Sequence, residues 1–233
     1  MVEHKKLVII PAYNEEATII SQCREIAEAV PDYDLVVIND CSADSTAKLC
    51  REESIRVMDL PVNLGIGGAM QTGYRYALSH GYDIAVQVDG DGQHDPAFIP
   101  AMYEMLVREG ADMVIGSRFI ERTGYQSSLP RRIGIGFLSS LIRLLCGRRI
   151  TDPTSGFRMA SGDLIREFAL DYPDDYPEPE SMVRILSEGR RAVEVPVRMR
   201  ERAGGRSSIR PLNAVYYMIK VSIAMMAERM RKH

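Results

Sequence analysis

Three aspartates crowd into the stretch VQVDGDGQHDP (residues 86–96). Asp89, Asp91 and Asp95 lie within seven positions, and Gln93 stands between the last two. Carboxylates this close repel one another unless a metal ion, a helix N-terminus or water offsets the repulsion. The residue types and their spacing therefore raise the question of cation binding.

Two simple explanations account for only part of the cluster. An EF-hand loop also begins with D-x-D, but it needs Gly at its sixth position and Glu at its twelfth. Those positions hold His94 and Pro100, which excludes calcium binding by that route. Asp95 immediately precedes a proline and is predicted to cap the helix that follows. Asp89 and Asp91 have no such explanation.

The remaining acids fit a divalent cation that arrives with a phosphorylated ligand. Asp89 ends a strand-like run, Gly90 lets the backbone turn sharply, and Asp91 can reach the same ion. Gln93 offers a neutral oxygen. Because the protein would supply only these few ligands, the other coordination positions of the ion stay free for diphosphate oxygens, as is usual at Mg²⁺ sites. We interpret His94 as a hydrogen-bonding neighbour of the acids rather than a metal ligand.

The elements that position this cluster alternate along the first half of the chain. Strands are predicted for KLVIIPA (6–12), YDLVVIND (33–40), IRVMDL (55–60), YDIAVQVD (82–89) and ADMVIGS (111–117). Helical patterns fill the intervals, over residues 14–30, 42–53, 65–81 and 96–110. This order predicts an α/β fold with a mostly parallel sheet covered on both faces. Polar clusters follow four of the strands, where such sheets bind ligands.

The alternation stops at about residue 120. The pattern then predicts an amphipathic helix over 129–150, a loop over 151–159 and a proline-rich acidic loop over 171–182. A strand is predicted over 191–199, and a last helix that is apolar on most sides ends the chain. Such a helix must be buried in a core, in an oligomer or at a bilayer surface.

Composition narrows the class of protein. Apolar residues make up 45% and charged residues 26%, as in ordinary globular proteins. The net charge is −3, but residues 184–233 carry twelve Lys/Arg against four Asp/Glu, which indicates an anionic partner there. The four cysteines fit neither a zinc site nor a disulfide framework. We found no signal-peptide pattern and no long uncharged apolar run, and we expect a cytoplasmic protein.

Seven segments, in order, resemble the family 2 glycosyltransferases with the GT-A fold. The likeness is strongest to their dolichyl-phosphate mannose synthase and polyprenyl-phosphate glycosyltransferase branch. The segments are VIIPAYNEEATI (8–19), VVINDCSADST (36–46), NLGIGGAMQTGYRYA (63–77), QVDGDGQHDP (87–96), IGSRF (115–119), TDPTSGFRM (151–159) and VPVRMRERAGGRSSI (195–209). Two positions depart from the pattern: Asn39 replaces a common Asp, and Ser208 replaces a Lys.

The resemblance implies a role for each site residue. The nucleotide sugar would contact Pro11, Ala12, Tyr13, Glu15, Asp40, Gly67, Asp89 and Gly90. Mg²⁺ or Mn²⁺ would be held by Asp89, Asp91 and Gln93. The acceptor or donor phosphates would be bound by Arg118, Arg131, Ser155, Arg202 and Arg206. Catalytic roles fall to Asp91, Asp152 and Glu180, with Glu178 a further candidate base.

The resemblance also implies a domain plan and a reaction. Residues 1–210 form one GT-A domain, with a nucleotide-sugar-binding half (1–118) and an acceptor half (119–210), followed by a C-terminal helix at 211–233. We expect an inverting transferase that moves a sugar from a UDP- or GDP-linked donor to a polyprenyl phosphate or another lipid-linked acceptor. It would act peripherally on the inner face of the cell membrane and bind no nucleic acid.

Three alternatives stay open from the sequence. The same fold could transfer to a sugar hydroxyl in a surface polysaccharide, which requires a carboxylate base. The chain could instead be a non-catalytic scaffold that binds nucleotide sugars. A sugar nucleotidyltransferase is disfavoured because PAYNEE (11–16) stands where its Gly-rich loop would be. The helix at 211–233 could also contact a second copy or a membrane protein.

Overall fold

The structure is a computed structural model and describes residues 3–121, 129–201 and 213–231. The strands are β1 (Lys6–Ala12), β2 (Asp34–Asn39), β3 (Val57–Asp59), β4 (Ile84–Gln87), β5 (Met113–Ser117), β6 (Arg158–Ser161) and β7 (Ala192–Pro196). The helices are α1 (Ile19–Ala29), α2 (Thr46–Glu52), α3 (Gly65–Ser79), α4 (Ile99–Glu109), α5 (Leu129–Cys146), α6 (Gly162–Leu170), α7 (Pro177–Ser187) and α8 (Asn213–Met230). A 3-10 turn, Pro96–Phe98, precedes α4.

All these strands form one sheet in the order β3-β2-β1-β4-β6-β5-β7. Every neighbouring pair is parallel except those of β6, which runs antiparallel to both β4 and β5. The strand order reverses between β1 and β4, because the chain first moves outward to β2 and β3 and then returns. A crevice beyond the carboxyl ends of strands at such a reversal is where open α/β sheets bind ligands.

Apolar side chains alternate between the two faces of the sheet. Leu7 and Ile9 of β1 join the core beneath α3, α5, α6, α7 and α8, whereas Val8 and Ile10 join the core beneath α1, α2 and α4. Burial on both faces explains why the strands are continuous apolar runs rather than alternating patterns. The predicted α/β class with a mostly parallel sheet is confirmed.

Two elements were absent from the sequence prediction. β6 is a four-residue strand that begins with a buried arginine, Arg158, and it lies between β4 and β5. α6 follows it directly and packs against α3. A short strand that contains a charged residue resembles a loop in sequence, because its partners lie far away along the chain.

Two helix boundaries also differ from prediction. α1 begins at Ile19, so the acids of PAYNEE lie in the turn before it and not in its first turn. α7 begins at Pro177, so Glu178 and Glu180 lie in the first turn of a helix and not in a loop. Proline is well tolerated at the first helical position, and acids there favour the helix dipole.

The last helix, α8, packs within the molecule along one side. Val221 and Met225 are fully buried against the core under α5 and α7. A second stripe faces outward, formed by Tyr216, Ile219, Ile223, Met226 and Met230. Within the described ranges, no helix is both long enough and apolar enough to cross a bilayer.

Candidate active site

The loops after β1 and β4 meet at the strand-order reversal. Thr18 donates its hydroxyl to the carbonyl of Gly90 over 2.7 Å, which joins the two loops. A Cβ placed on Gly90 would lie 3.4 Å from the carbonyl oxygen of Pro11 and 3.6 Å from Cγ of Glu15. The backbone of the acidic motif therefore lies against the PAYNEE turn. Tyr13, in that turn, is about half exposed.

Asp89 is held in place by buried neighbours while its carboxylate stays partly exposed. Its Oδ1 accepts a 3.1 Å hydrogen bond from the Gln87 amide, and its backbone N–H donates to Nδ1 of His94 over 3.0 Å. Nδ1 of His94 is thus an acceptor, and Nε2 lies 3.6 Å from Oδ2 of Asp89. The imidazole stacks on Phe157 at 4.9 Å. His94 is therefore a positioning neighbour of Asp89.

A glycine makes room for this carboxylate. A Cβ on Gly156 would lie 3.1 Å from Oδ2 of Asp89 and 2.9 Å from the Gln87 amide nitrogen. Those separations are shorter than ordinary van der Waals contact. The loop that carries TDPTSGFRM thus closes over the side of the acidic motif, and only glycine fits at this point without displacing Asp89.

Asp91 and Gln93 lie in a tight turn. Oδ1 of Asp91 accepts the Gln93 backbone N–H over 3.0 Å, and Gly92 between them has a positive φ of 77°. Gln93 also pairs with Arg200, whose backbone N–H donates to the Gln93 carbonyl over 3.0 Å. Asp95 accepts the Ala97 N–H and caps the 3-10 turn as predicted.

Two residues expected near the nucleotide are engaged in packing. Asp40 is buried, and its two carboxylate oxygens accept the N–H groups of Leu64 and Gly65 at 2.6 and 2.9 Å. It therefore satisfies backbone donors at the start of α3. Gly67 meets the backbone of the 171–176 loop: a Cβ there would lie 2.3 Å from the carbonyl oxygens of Pro173 and Asp174.

Asp152 forms a buried, two-pronged ion pair with Arg118. Nε and Nη2 of Arg118 each donate to a different oxygen of Asp152 over 2.7 Å, and the Arg118 backbone N–H adds a bond of 3.2 Å. Asp152 is fully buried. Glu194 of β7 accepts the Asp152 backbone N–H and orients this loop. Both oxygens of Asp152 are thus engaged by Arg118, which leaves the carboxylate poorly placed to accept a proton.

Ser155 and Arg158 bind the same loop internally. The Ser155 hydroxyl donates to the Gly116 carbonyl over 2.7 Å and accepts the Phe157 N–H over 3.3 Å, and Ser155 is buried. Arg158 donates to the carbonyls of Pro153, Ser155 and Glu178. This buried guanidinium ties the TDPTSG loop to the first turn of α7.

Glu178 and Glu180 have different charged neighbours. Burial raises the pKa of Glu178, and the Asp89 carboxylate raises it further while Arg158 lowers it. Burial raises the pKa of Glu180 to about 7, and there the further acids are Glu228 and Asp175. Of these two glutamates, Glu178 is therefore the one whose charge is coupled to the acidic motif.

Helices α5 and α8 contribute a cation and an aromatic residue, Arg131 and Tyr217. Tyr217 packs edge-on against Tyr176 at 5.2 Å. Burial raises the pKa of Tyr217 to about 12, the charge of Glu178 raises it too, and Arg131 lowers it. Arg131, near the start of α5, is thus close enough to Tyr217 of α8 for its charge to act on that side chain. Arg202 and Arg206 fall outside the described residues.

The donor set at the acidic motif suits a hard divalent cation only with help from a ligand. Within residues 3–121, 129–201 and 213–231, no three His, Cys, Asp or Glu side chains are grouped as a metal site. Asp89, Asp91 and Gln93 supply oxygen donors, which Mg²⁺ and Mn²⁺ prefer. The side chain of Asp89 is 36% exposed, in the space that Gly156 leaves. The residues fit a cation that is held partly by these side chains and partly by the oxygens of a bound diphosphate.

The sequence reasoning missed several residues that shape this site. Gly156 and Arg158 lie in the segment TDPTSGFRM (151–159). A glycine and an arginine within that segment were the only sequence signal that could have indicated them. Nothing in the local sequence indicated the contacts of Thr18, Glu194 and Tyr217, because each acts on a partner about 40 or more positions away.

Comparison with known proteins identifies the class of enzyme. The profile of "Glycosyl transferase family 2" matches residues 7–168. An undecaprenyl-phosphate mannosyltransferase of Micrococcus luteus is 32% identical over 212 residues, covering 87% of this chain and 86% of the relative. A polyprenol monophosphomannose synthase of Mycolicibacterium smegmatis is 29% identical over 228 residues, covering 94% and 86%.

A solved structure shares the architecture. The crystal structure of glucosyl-3-phosphoglycerate synthase from Mycobacterium tuberculosis with Mn²⁺, UDP and phosphoglyceric acid superposes with a TM-score of 0.73. It is 25% identical, and the match covers 99% of this chain and 80% of that one. The expected GT-A fold is confirmed. The chain is a glycosyltransferase and belongs to glycosyl transferase family 2.

Proposed function

We propose that this enzyme transfers a sugar from a UDP- or GDP-linked donor to the phosphate of a polyprenyl phosphate, with inversion at the anomeric carbon. The observation that carries the proposal is the close approach of Gly90, which stands between Asp89 and Asp91, to the Pro11–Glu15 turn at the strand-order reversal. The names of the relatives from Micrococcus and Mycolicibacterium support the acceptor class.

In this proposal the donor diphosphate lies beside the acidic motif. Asp89, Asp91 and Gln93 would hold Mg²⁺ or Mn²⁺ together with diphosphate oxygens. When bound, such an ion stabilises the negative charge of the departing nucleoside diphosphate as a Lewis acid. The chain orients the motif through Gln87 and His94, and the PAYNEE turn covers the nucleotide side.

The acceptor phosphate would approach from the side of α5 and α8. A phosphate acceptor is already anionic and needs no strong base to attack the anomeric carbon. We assign Arg131, with Arg202 and Arg206, to the recognition of phosphate oxygens, for which guanidinium groups are well suited. Asp152 has the role of positioning Arg118. The outward stripe of α8 and its basic end support peripheral binding at the inner face of the membrane.

The test measures donor binding and turnover with matched variants. We expect D91N to reduce transfer by about 10²-fold or more, since it removes a charge beside the diphosphate. D95N is the control: Asn also caps well, and the lost Arg200 contact is a partly exposed ion pair. Thermal shifts with UDP- and GDP-sugars plus Mn²⁺ would identify the donor. Unchanged turnover in D91N and no donor binding would contradict the proposal and favour a scaffold.

Transfer to a sugar hydroxyl is the second candidate, and the position of Glu178 favours it. Burial raises the pKa of Glu178, and the charge of Asp89 raises it further. A carboxylate with a raised pKa beside the donor site is a candidate proton acceptor. E178Q should retain turnover with a phosphate acceptor. A loss of about 10²-fold in E178Q, with donor binding intact, would support the hydroxyl acceptor instead.

A further inference from the structure

An open groove of about 540 Å³ lies along α5, away from the acidic motif. Its wall includes three arginines, Arg132, Arg143 and Arg149, and the apolar side chains Leu129 and Ile133. No residue of 86–96 lines it, and neither Arg118 nor Asp152 does. The groove is therefore a separate feature from the candidate donor site.

The three guanidinium groups have no balancing charge in the described part of the chain. Among the ion pairs of the described residues, none includes Arg132, Arg143 or Arg149. The hydroxyls of the wall are already engaged: Ser139 donates to the Ile150 carbonyl, and Ser140 donates to the Gly136 carbonyl. The guanidinium groups are thus the hydrogen-bond donors that the groove offers to a ligand. Their planar, paired N–H groups match the geometry of phosphate oxygens.

The same helix carries an exposed apolar surface. Leu129 is 67% and Ile133 66% exposed, and Phe137 and Leu144 are exposed as well. These positions follow helical spacing, so they share one side of α5. A ligand that joins a phosphate to a hydrocarbon chain satisfies both parts of this surface, whereas a free anion satisfies only the arginines.

We propose that this groove binds the phosphate of an anionic phospholipid, with Leu129, Ile133 and Phe137 entering the acyl region beside it. The inference rests on the membrane location in the proposed function but not on the donor or the acceptor. The bound lipid is a component of the bilayer surface and is not consumed. The groove therefore sets the orientation of α5 on the membrane.

The experiment measures partition of the full chain onto vesicles by co-sedimentation. The vesicles contain phosphatidylcholine alone or with about one third phosphatidylglycerol. R143Q/R149Q should bind the anionic vesicles about 25-fold more weakly, from roughly fivefold for each basic residue near the surface. The charge-matched control is K48Q/R108Q, on α2 and α4, which pack on the opposite face of the sheet. It should reduce binding by less than about threefold.

Further measurements separate the possible occupants. I133S removes apolar contact without changing charge and should weaken vesicle binding too, which keeps the proposal testable if the double variant folds poorly. If both double variants lost vesicle binding equally, the binding would come from general charge attraction, and the proposal that the groove binds lipid would be wrong. Release by inorganic phosphate at constant ionic strength would indicate a free anion and overturn the lipid assignment.

Two readouts distinguish this proposal from others. A change of oligomeric state in R143Q/R149Q, seen by sedimentation velocity, would assign the groove to a second copy and overturn lipid binding. Nucleotide-sugar binding, measured without vesicles, should be unchanged in R143Q/R149Q. If donor binding fails in the wild type while vesicle binding follows the groove, the proposed function fails and this inference stands.

Discussion

At the scale of single residues, burial and bonding separate the acids into different roles. Asp89 is partly exposed beside Gly156, whereas Asp152 is fully buried and accepts three bonds from Arg118. Removing one partner of a buried pair such as this leaves the other charge uncompensated. Asp152 thus fixes the guanidinium of Arg118.

Replacing Asp152 tests that role. We expect D152N to lower the free energy of unfolding by about 3 kcal/mol, because a buried guanidinium loses its countercharge. D163N is the control, since Asp163 pairs with Arg166 where both side chains are 62% exposed, and it should cost less than about 0.5 kcal/mol. Urea unfolding measures both. Full stability of D152N together with a large loss of transfer would identify a base instead.

At the scale of elements, close approach of backbones fixes α6 and the loop after it against α3. α3 packs against α6, and at Gly67 it touches the loop between α6 and α7. Gly67 of GIGGAM therefore serves this packing, whereas a Cβ on Gly68 would meet the side chain of Leu64 just before α3. A nucleotide contact by Gly67 stays a prediction.

Alanine at two helical glycines should have opposite effects. G67A places a methyl 2.3 Å from two backbone carbonyl oxygens, and we expect it to destabilise the fold by about 2 kcal/mol. G136A, in α5, meets nothing within 4 Å and should stabilise by about 0.5–1 kcal/mol through helix propensity. Thermal unfolding of both variants measures the difference. Equal stabilisation by both would show that the α3 contact can relax.

At the scale of the whole molecule, a buried ion pair attaches the last helix. Nε of Arg184 on α7 lies 2.5 Å from Oε1 of Glu228 on α8, and both side chains are almost fully buried. Arg184 also pairs with Asp171 at 3.2 Å. Glu180, one turn before Arg184, adds another acid to this junction. Its charge acts on Glu228, so the stability of the contact between α7 and α8 is expected to depend on pH.

The pKa of Glu180 is raised from 4.5 to about 7 in the folded protein. Its contribution to stability is therefore present below pH 4.5 and is lost as the pH rises through 7. E180Q should match the wild type near pH 4.5 and exceed it by about 2 kcal/mol at pH 8. E104Q is the control, because Glu104 is exposed; its free energy of unfolding should differ from that of the wild type by the same amount at all pH values. A difference independent of pH would show that Glu180 does not titrate in this range.

Much of the nucleotide half could be predicted because its signals are local. Five strands lie inside the apolar runs that predicted them, and the acids of DGDGQHD begin two positions after the end of β4. β6 and the start of α7 could not be read in this way. Arg158 is tolerated in β6 because carbonyls from Pro153, Ser155 and Glu178 solvate it.

The amino-acid sequence by itself determined the α/β class, the family and the position of the acidic motif at a strand end. These properties depend on the order of apolar and polar residues along the chain. Only the tertiary structure decided that Arg118 binds Asp152 and that Glu178, rather than Glu180, is coupled to Asp89. The energies of ion pairs and desolvation depend on distances between residues remote in sequence, which the fold alone creates.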